Sequence, residues 1–373
     1  MGLSLLEGNE AVAWGAFEAG CRFFTSYPIT PATGIYNTML RLLPPAGGIV
    51  LQAEDEMASM GYCLGAAMSG AKAMTATSGP GLSLYSEHIS FAIGSEIPIV
   101  IVDVQRVGPS SGAATRGADG DIQFLRWGNS GGMPLIVLAP VDGPDCFTLT
   151  IRAFNLAEEF RCPVILASNK EIGMTRESLD LDTLERPPLK ERLTAPATRP
   201  FLPFEPAPGK DVPYFLPLGH TTLVRQTSAT HGEDGYHLID PGGIARIYAR
   251  LYRKIESAVE DFSFADTDIQ EGADTLLVCY GVTARAARAA LKALRAEGQP
   301  VSLLILKTLW PVPESLIRAK ARAARRVVVV EMNLGQYVRE IQRILPDRKI
   351  KFLGQMNGAL ITPAQIRAAI ADA

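Results

Sequence analysis

Hydrophobic positions along this chain fall into two rhythms, near-continuous apolar runs and apolar residues at helical spacing, and the two alternate from end to end. Gly8 to Gly20 places Val12, Ala13, Ala16 and Phe17 on one helical face and stops at a glycine, after which comes the strand-like CRFFTSYP. Pro28 and Pro31 then stiffen the loop YPITPAT, because each fixes its own φ and disfavours helix in the residue before it. An amphipathic helix to about Leu43 and a short strand, GIVLQ, lead to a helix dense in Ala, Gly and Met. Ala73 to Ala76 reads as a buried strand running into TSGPGLSL, whose glycines permit a turn before another helix. IVIVDV, at Ile99 to Val104, is almost unbroken in apolar character and marks a parallel strand buried on both faces. MPLIVLAP (Met133 to Pro140), a helix from about Gly143 to Phe160 and a strand from Pro163 to Ser168 continue the series. The alternation predicts an α/β protein with an open, doubly wound parallel sheet and a ligand at the carboxyl ends of its strands.

From Arg186 to about Gly235 the rhythm is lost. Pro187, Pro188, Pro196, Pro200, Pro203, Pro206, Pro208, Pro213 and Pro217 cluster without sustained periodicity, which predicts an extended linker or an arm laid over a partner. A helix from about Ile244 to Val259 leads into a second α/β unit. Its strands are Thr275 to Tyr280, Val301 to Leu306, Arg326 to Glu331 and Lys349 to Leu353, each followed by a helix, the last of them from Pro363. This predicts a small parallel sheet and three segments: a domain over 1–185, a proline-rich arm over 186–240 and a second domain over 241–373. The turns YGVT and EMNLGQ in the second domain read as structural, since short glycine turns after parallel strands are generic.

At 373 residues the chain exceeds one compact core, and 47% hydrophobic with 20% charged residues places it among soluble globular proteins. A net charge of -3 gives no case for nucleic acid or an anionic membrane surface. The five cysteines form no CxxC pair to go with the four histidines, so neither zinc nor an iron-sulfur cluster is expected here. With no basic-then-apolar leader and no run of about 18 apolar residues, the chain reads as cytoplasmic, with no membrane segment.

The chemistry concentrates in Gln52 to Leu84. Glu54 and Glu56 stand at the mouth of a helix short of bulky and charged side chains, an arrangement that suits a buried cofactor site. An acid at a helix N-terminus is also favoured by the macrodipole alone, so both readings stand. Thr30, between two prolines, offers either a ligand hydroxyl or a helix N-cap. Arg106 follows a strand's carboxyl end, where a guanidinium can hold a carboxylate through two parallel hydrogen bonds or can simply be a solvated loop charge.

Three motifs occur in order: YPITPAT, EDEMASMGYCLGAAMSGAKAMTATSGPG and QRVGPSSGAATRGADGDI, followed by the proline-rich connection and YGVT...EMNLGQ. Together they resemble the alpha subunit of the 2-oxoacid:ferredoxin oxidoreductases, thiamine-diphosphate enzymes that convert a 2-oxoacid and coenzyme A to an acyl-CoA, CO2 and reduced ferredoxin. The resemblance implies a pyrimidine-binding thiamine domain followed by a domain like the carboxy-terminal one of transketolases. Glu56, five residues before Gly61, matches the family's activating glutamate. A carboxyl group donating to the pyrimidine N1' drives the cofactor towards its imino form, and it does so best when desolvated. Thr30 and Arg106 match the positions that recognise the 2-oxoacid, with Ser110, Ser111 and Thr115 as weaker candidates. Thr30, Ser78 and Gly79 would join Glu56 around the cofactor.

GADGD (Gly117 to Asp121) resembles the start of a magnesium-diphosphate motif, but the asparagine expected about twenty-five residues on is absent, and the segment reads as a loop. The resemblance therefore implies half a site: a beta subunit would carry the diphosphate, Mg2+ and a [4Fe-4S] cluster, joined by a gamma subunit in a hetero-oligomer inactive without them. Arg106 and Arg116 tilt the expected substrate towards 2-oxoglutarate over pyruvate or branched-chain 2-oxoacids. Two other readings are a non-redox split thiamine decarboxylase or transketolase-like subunit, and a catalytically silent assembly subunit.

Overall fold

The computed structural model describes residues 2–196, 201–219 and 221–372, so Pro200 of the arm lies outside the described residues. The first domain runs β1 (Leu3–Glu7), α1 (Gly8–Glu18), β2 (Phe23–Ser26), α2 (Thr33–Leu42), β3 (Ile49–Gln52), α3 (Glu56–Met68), β4 (Ala73–Thr77), α4 (Gly79–Leu84), α5 (Ser86–Gly94) and β5 (Ile99–Gln105). It continues through α6 (Ile122–Trp127), β6 (Ile136–Leu138), α7 (Gly143–Phe160), β7 (Pro163–Asn169), α8 (Lys170–Met174) and β8 (Arg176–Asp180). Beyond the arm come α9 (Pro241–Glu256), β9 (Ala265–Asp268), β10 (Thr275–Tyr280), α10 (Thr283–Ala296), β11 (Ser302–Leu306) and β12 (Thr308–Trp310). The chain ends with α11 (Glu314–Lys320), β13 (Arg326–Glu331), α12 (Val338–Ile344), β14 (Lys349–Gly354) and α13 (Pro363–Ala371).

The main sheet has the order β12-β6-β7-β5-β4-β2-β3, parallel throughout except where β12 meets β6. β5 lies between β4 and β7 with every residue buried, as its apolar run requires. Helices cover both faces: α1, α2 and α7 close one apolar core, while α3 and α5 close the other. Local chemistry fixes where the helices start. Asp55 caps α3 by accepting the Ala58 N–H at 2.7 Å, and Asp142 does the same for α7 at 3.0 Å from the Asp145 N–H.

The second sheet, β14-β13-β10-β11-β9, is parallel except for its edge strand β9. Neither β9 nor β12 follows from the apolar rhythm of the sequence. The chain after β11 does not go straight into a helix: Thr308–Trp310 crosses to pair with β6, so one sheet is completed by the other domain. The antiparallel ribbon of β1 and β8 was also unforeseen.

The proline-rich stretch, expected as an extended linker or an arm laid over a partner, makes its contacts within this chain on the first domain. Arg192 forms a two-pronged, buried ion pair with Glu158 and donates to the carbonyls of Ala67 and Ala71, while Leu218 N–H bonds the Met68 carbonyl. Prolines leave few backbone donors, so much of the attachment is made by arginine side chains from both partners. Arg161, for instance, reaches the carbonyls of Pro203 and Tyr214.

Between the domains lies the loop 117–123. The Asp119 N–H bonds the Met332 carbonyl, Asn333 donates to the Asp119 carbonyl, and the Gln336 amide bridges Gly120 and Gln123. EMNLGQ thus has the structural role expected of it, as the grip of the second domain on a first-domain loop.

Candidate cofactor site

The parallel strands β2, β3, β4, β5 and β7 end on one rim of the main sheet, and a polar residue stands at or just past each end: Thr30, Glu56, Ser78, Arg106 and Asn169. Glu56 is the first residue of α3. Because Asp55 supplies the cap, Glu56 is spared that duty; it turns inward and is 8% exposed, while Glu54 is solvent-exposed. Its carboxylate makes no hydrogen bond or ion pair among the described residues. Opposite it lies Gly81, where a Cβ would stand 2.8 Å from Glu56 Oε1 and 2.1 Å from Thr77 Oγ1. Glycine is thus the residue that lets the SGPG turn close over the carboxylate.

Thr77 and Ser78 are fully buried with hydroxyls lacking any partner, and so is Thr25 on β2. Buried polar atoms are nearly always hydrogen-bonded, so a concentration of orphans around one carboxylate fits a ligand that supplies the missing partners. Beneath them the wall is fixed: the Tyr85 hydroxyl bonds Thr75 Oγ1 at 2.8 Å and Ser59 Oγ at 3.0 Å. The Ala and Gly positions of α3 bring no competing charge to this space.

Arg106 is 7% exposed, so it is not the solvated loop charge that the sequence left open. Its Nη1 donates to the Thr30 carbonyl at 2.5 Å, and its Nε is buried without a partner. Thr30 therefore meets Arg106 through its backbone. Its side chain does not cap α2, whose N-cap is Ala32, because the prolines hold Thr30 too far upstream of the first turn. Ser110 and Ser111 lie at the exposed tip of the turn that follows, and Thr115 and Arg116 are exposed as well. That turn closes through bonds between Val107 and both Ala113 and Arg116, and a Cβ at Gly112 would stand 1.7 Å from the Val107 carbonyl. Among the described residues, none of these exposed side chains bonds to Glu56 or Arg106.

Three acidic residues escaped the sequence reading. Asp103 is the one polar residue of IVIVDV, fully buried, with both carboxylate oxygens unpartnered. Asp119 and Asp121 belong to GADGD, which is a loop as expected, but one whose carboxyls point inward. Asp119 accepts from Asn169 Nδ2 at 2.8 Å, and Asp121 Oδ2 lies 3.7 Å from where a Gly79 Cβ would be. Burial, reinforced by their neighbours' charge, pushes the Asp103 carboxyl well up and that of Asp119 to about 7. The visible signal was an aspartate inside an otherwise apolar strand, which needs a reason to be there. Among the described residues no group of three or more His, Cys, Asp and Glu is arranged to hold a metal ion, and the five cysteines are free and buried. No helix among them is long and apolar enough to cross a membrane.

This geometry can be set beside known proteins. Residues 14–243 match the family described as pyruvate flavodoxin/ferredoxin oxidoreductase, thiamine diphosphate-binding, and residues 273–366 match pyruvate:ferredoxin oxidoreductase core domain II. The 2-oxoglutarate synthase subunit KorA of Methanothermobacter thermautotrophicus is 40% identical over 97% of this chain and 96% of its own length. The ketoisovalerate oxidoreductase subunit VorB of the same organism is 34% identical over 97% and 95%. The 2-oxoglutarate:ferredoxin oxidoreductase of Magnetococcus marinus superposes with a TM-score of 0.93 at 32% identity, covering 99% of this chain and 65% of that longer one. A split-gene transketolase shares the fold alone, with a TM-score of 0.59 at 13% identity. An unpartnered carboxylate under a glycine turn and a buried arginine just past the end of β5 thus sit within a thiamine-diphosphate-binding domain, and the chain belongs to the 2-oxoacid:ferredoxin oxidoreductase family.

Proposed function

We propose that this chain is the alpha subunit of a 2-oxoglutarate:ferredoxin oxidoreductase, which converts 2-oxoglutarate and coenzyme A to succinyl-CoA and CO2 while two electrons pass to ferredoxin. The observation that carries this reading is the buried Glu56 carboxylate, partnerless and facing the Gly81 gap. The residues present fit thiamine diphosphate on its pyrimidine side: Glu56 and the orphaned hydroxyls of Thr77 and Ser78 offer polar partners, and Ser78 to Gly81 offers a close backbone wall. When bound, the cofactor would supply the carbon nucleophile, formed by loss of its thiazolium C2 proton, that adds to the 2-oxo group.

The work of this chain is to prepare that step. Glu56, buried at the start of α3, would hold the proton shared with the pyrimidine N1'. Arg106, with Nη1 tied to the Thr30 carbonyl, presents its remaining edge to the substrate carboxylate in the two-pronged geometry that guanidinium favours. Arg116, whose stem lies against Gly358 of the second domain, is the candidate for the distal carboxylate, with Ser110, Ser111 and Thr115 on the same turn. The diphosphate, Mg2+ and iron-sulfur cluster fall to a beta subunit, and a gamma subunit completes the complex.

Replacing Glu56 with Gln in the reconstituted complex tests the reading. The expected loss in kcat is about 10² to 10⁴, with the chain's unfolding transition unmoved, since no bond within the chain is lost. Unchanged succinyl-CoA formation would remove Glu56 from the chemistry. A panel of 2-oxoacids assayed with coenzyme A and ferredoxin then decides between 2-oxoglutarate and the branched-chain acids implied by the ketoisovalerate relative.

A further inference from the structure

One side chain with no part in the reaction described above lies between the substrate arginine and the second domain. Gln105 is the last residue of β5 and the last rung of its ladder with β7, where it pairs with Asn169. It is 1% exposed, and both ends of its amide are engaged: Nε2 donates to the Ser168 carbonyl at 3.3 Å and Oε1 accepts the Asp121 N–H at 3.0 Å. The turn bearing Ser110 and Ser111 closes from Val107 onward, where the Val107 N–H bonds the Arg116 carbonyl. Arg106 thus stands between the end of the ladder and the first bond of that turn, and the Gln105 amide ties this junction to the loop 117–123.

That loop is itself held from two sides. Asn169, fully buried, donates to Asp119 Oδ1 at 2.8 Å. From the second domain Asn333, also fully buried, donates to the Asp119 carbonyl at 2.9 Å, the Met332 carbonyl accepts the Asp119 N–H at 2.9 Å, and the Gln336 amide donates to the Gly120 carbonyl. Direct hydrogen bonds therefore lead from the second domain to residues 119–121, and from Asp121 to Gln105. The far end of Arg106 is fixed by a different element, through Nη1 on the Thr30 carbonyl at 2.5 Å.

We propose that Gln105 is the positioning residue for Arg106, and that through it the grip of the second domain on loop 117–123 sets how the guanidinium meets the carboxylate of the 2-oxoacid. A guanidinium pinned only at its tip swivels about that one bond. Pinned at tip and root, it offers its remaining N–H edge, including the unpartnered Nε, in a single direction, which a two-pronged pair with a carboxylate requires. The freedom of the side chain is then surrendered on folding and not on binding.

The inference rests on Arg106 as the carboxylate anchor, and a double-mutant cycle separates the two. Gln105→Met keeps the length of the side chain and removes both of its hydrogen bonds. In the reconstituted complex at saturating coenzyme A, it should raise the KM for the 2-oxoacid about tenfold, within the roughly 10² that a misplaced group can cost. Loss of a merely structural amide would instead lower the unfolding midpoint and carry kcat and both substrates with it; here kcat and the KM for coenzyme A should stay within about twofold of the parent. Arg106→Lys replaces the fork by a flexible point charge, so it should raise the KM by itself, and Gln105→Met added to it should raise the KM less than about twofold further. Gln336→Ala, at a partly exposed residue of the second domain, should move the KM for the 2-oxoacid in the same direction by a smaller factor, and it decides the matter if Gln105→Met does not assemble. A Gln105→Met effect that is equally large in the Arg106→Lys background, one that falls on kcat or coenzyme A, or an unchanged KM in Gln336→Ala overturns the proposal. If Arg106→Lys raises the KM while Gln105→Met does nothing, the positioning role alone is lost. If Arg106→Lys leaves the KM at the parent value, Arg106 is not the anchor, and the substrate reading falls together with this inference.

Discussion

At Gly81 a missing methyl group decides the shape of the site. A Cβ there would stand 2.1 Å from Thr77 Oγ1 and 2.8 Å from Glu56 Oε1, so Gly81→Ala must displace one of them. Displacing a catalytic group by about an ångström can cost about 10² in rate, and an overfilled interior costs about 1–3 kcal/mol. The expected result for Gly81→Ala is a fall in kcat/KM of about 10² together with a lowered unfolding midpoint, whereas Glu56→Gln lowers the rate alone. Steady-state assays paired with thermal unfolding separate the two, and a fully active Gly81→Ala complex would show that the turn does not press on Glu56. In the sequence the glycines of SGPG announced a turn, but their reason was hidden, because it is a contact with the start of a different helix. Asp103 was hidden in the same way: an aspartate in IVIVDV is visible, yet the groups facing it come from the loop at Asp119 and Asp121.

At the scale of elements, α9 and the arm are tied to the first domain by a buried cluster around Glu96. Its carboxylate accepts from both Arg250 Nη atoms at 3.0 and 2.6 Å and from Lys254 Nζ at 2.8 Å, and all three side chains are buried. Burial alone would raise the Glu96 carboxyl, but Lys254 and Arg250 outweigh it and hold it at about 2 against an ordinary 4.5. A carboxyl depressed in the folded state stabilises it above the unfolded value and ceases to do so as pH falls through the folded one. The contribution should therefore be complete above about 4.5 and disappear as pH falls towards about 2. Glu96→Gln would leave two cations buried without their counter-charge, a loss of about 3–5 kcal/mol, and should remove this part of the acid limb of a stability–pH curve measured by urea unfolding. An unaltered acid limb would place the acid sensitivity elsewhere. Periodicity made the helices and the buried strands legible because both follow from which face is apolar. It did not reveal β1, β9 or β12, since short edge strands are defined by what they pair with, nor the footing of the arm, which is set by arginines reaching distant carbonyls.

At the scale of the molecule, the edge of the main sheet nearest Glu56 is left open. β3 is the terminal strand, and Ile49 and Leu51 on it, Leu40 on α2, and Met57 and Tyr62 on α3 are exposed around that edge. An exposed strand edge bordered by large apolar side chains is a pairing hazard for a free chain and a docking face in a complex. The apolar band adjoins the helix that begins at Glu56. On the function proposed above, in which a partner subunit carries the diphosphate, that subunit is the expected occupant of this face. Leu51→Lys should leave the isolated chain's unfolding midpoint within about 0.5 kcal/mol of the parent, because the residue is 39% exposed and lies on an edge. In the complex the same lysine would be carried into a desolvated contact, where an unpaired charge is costly. The expected outcome is a chain that folds, fails to co-elute with the partner subunit in size-exclusion chromatography, and loses thiamine diphosphate binding together with activity. A Leu51→Lys chain that assembles and binds cofactor normally would move the docking face to another side of the sheet.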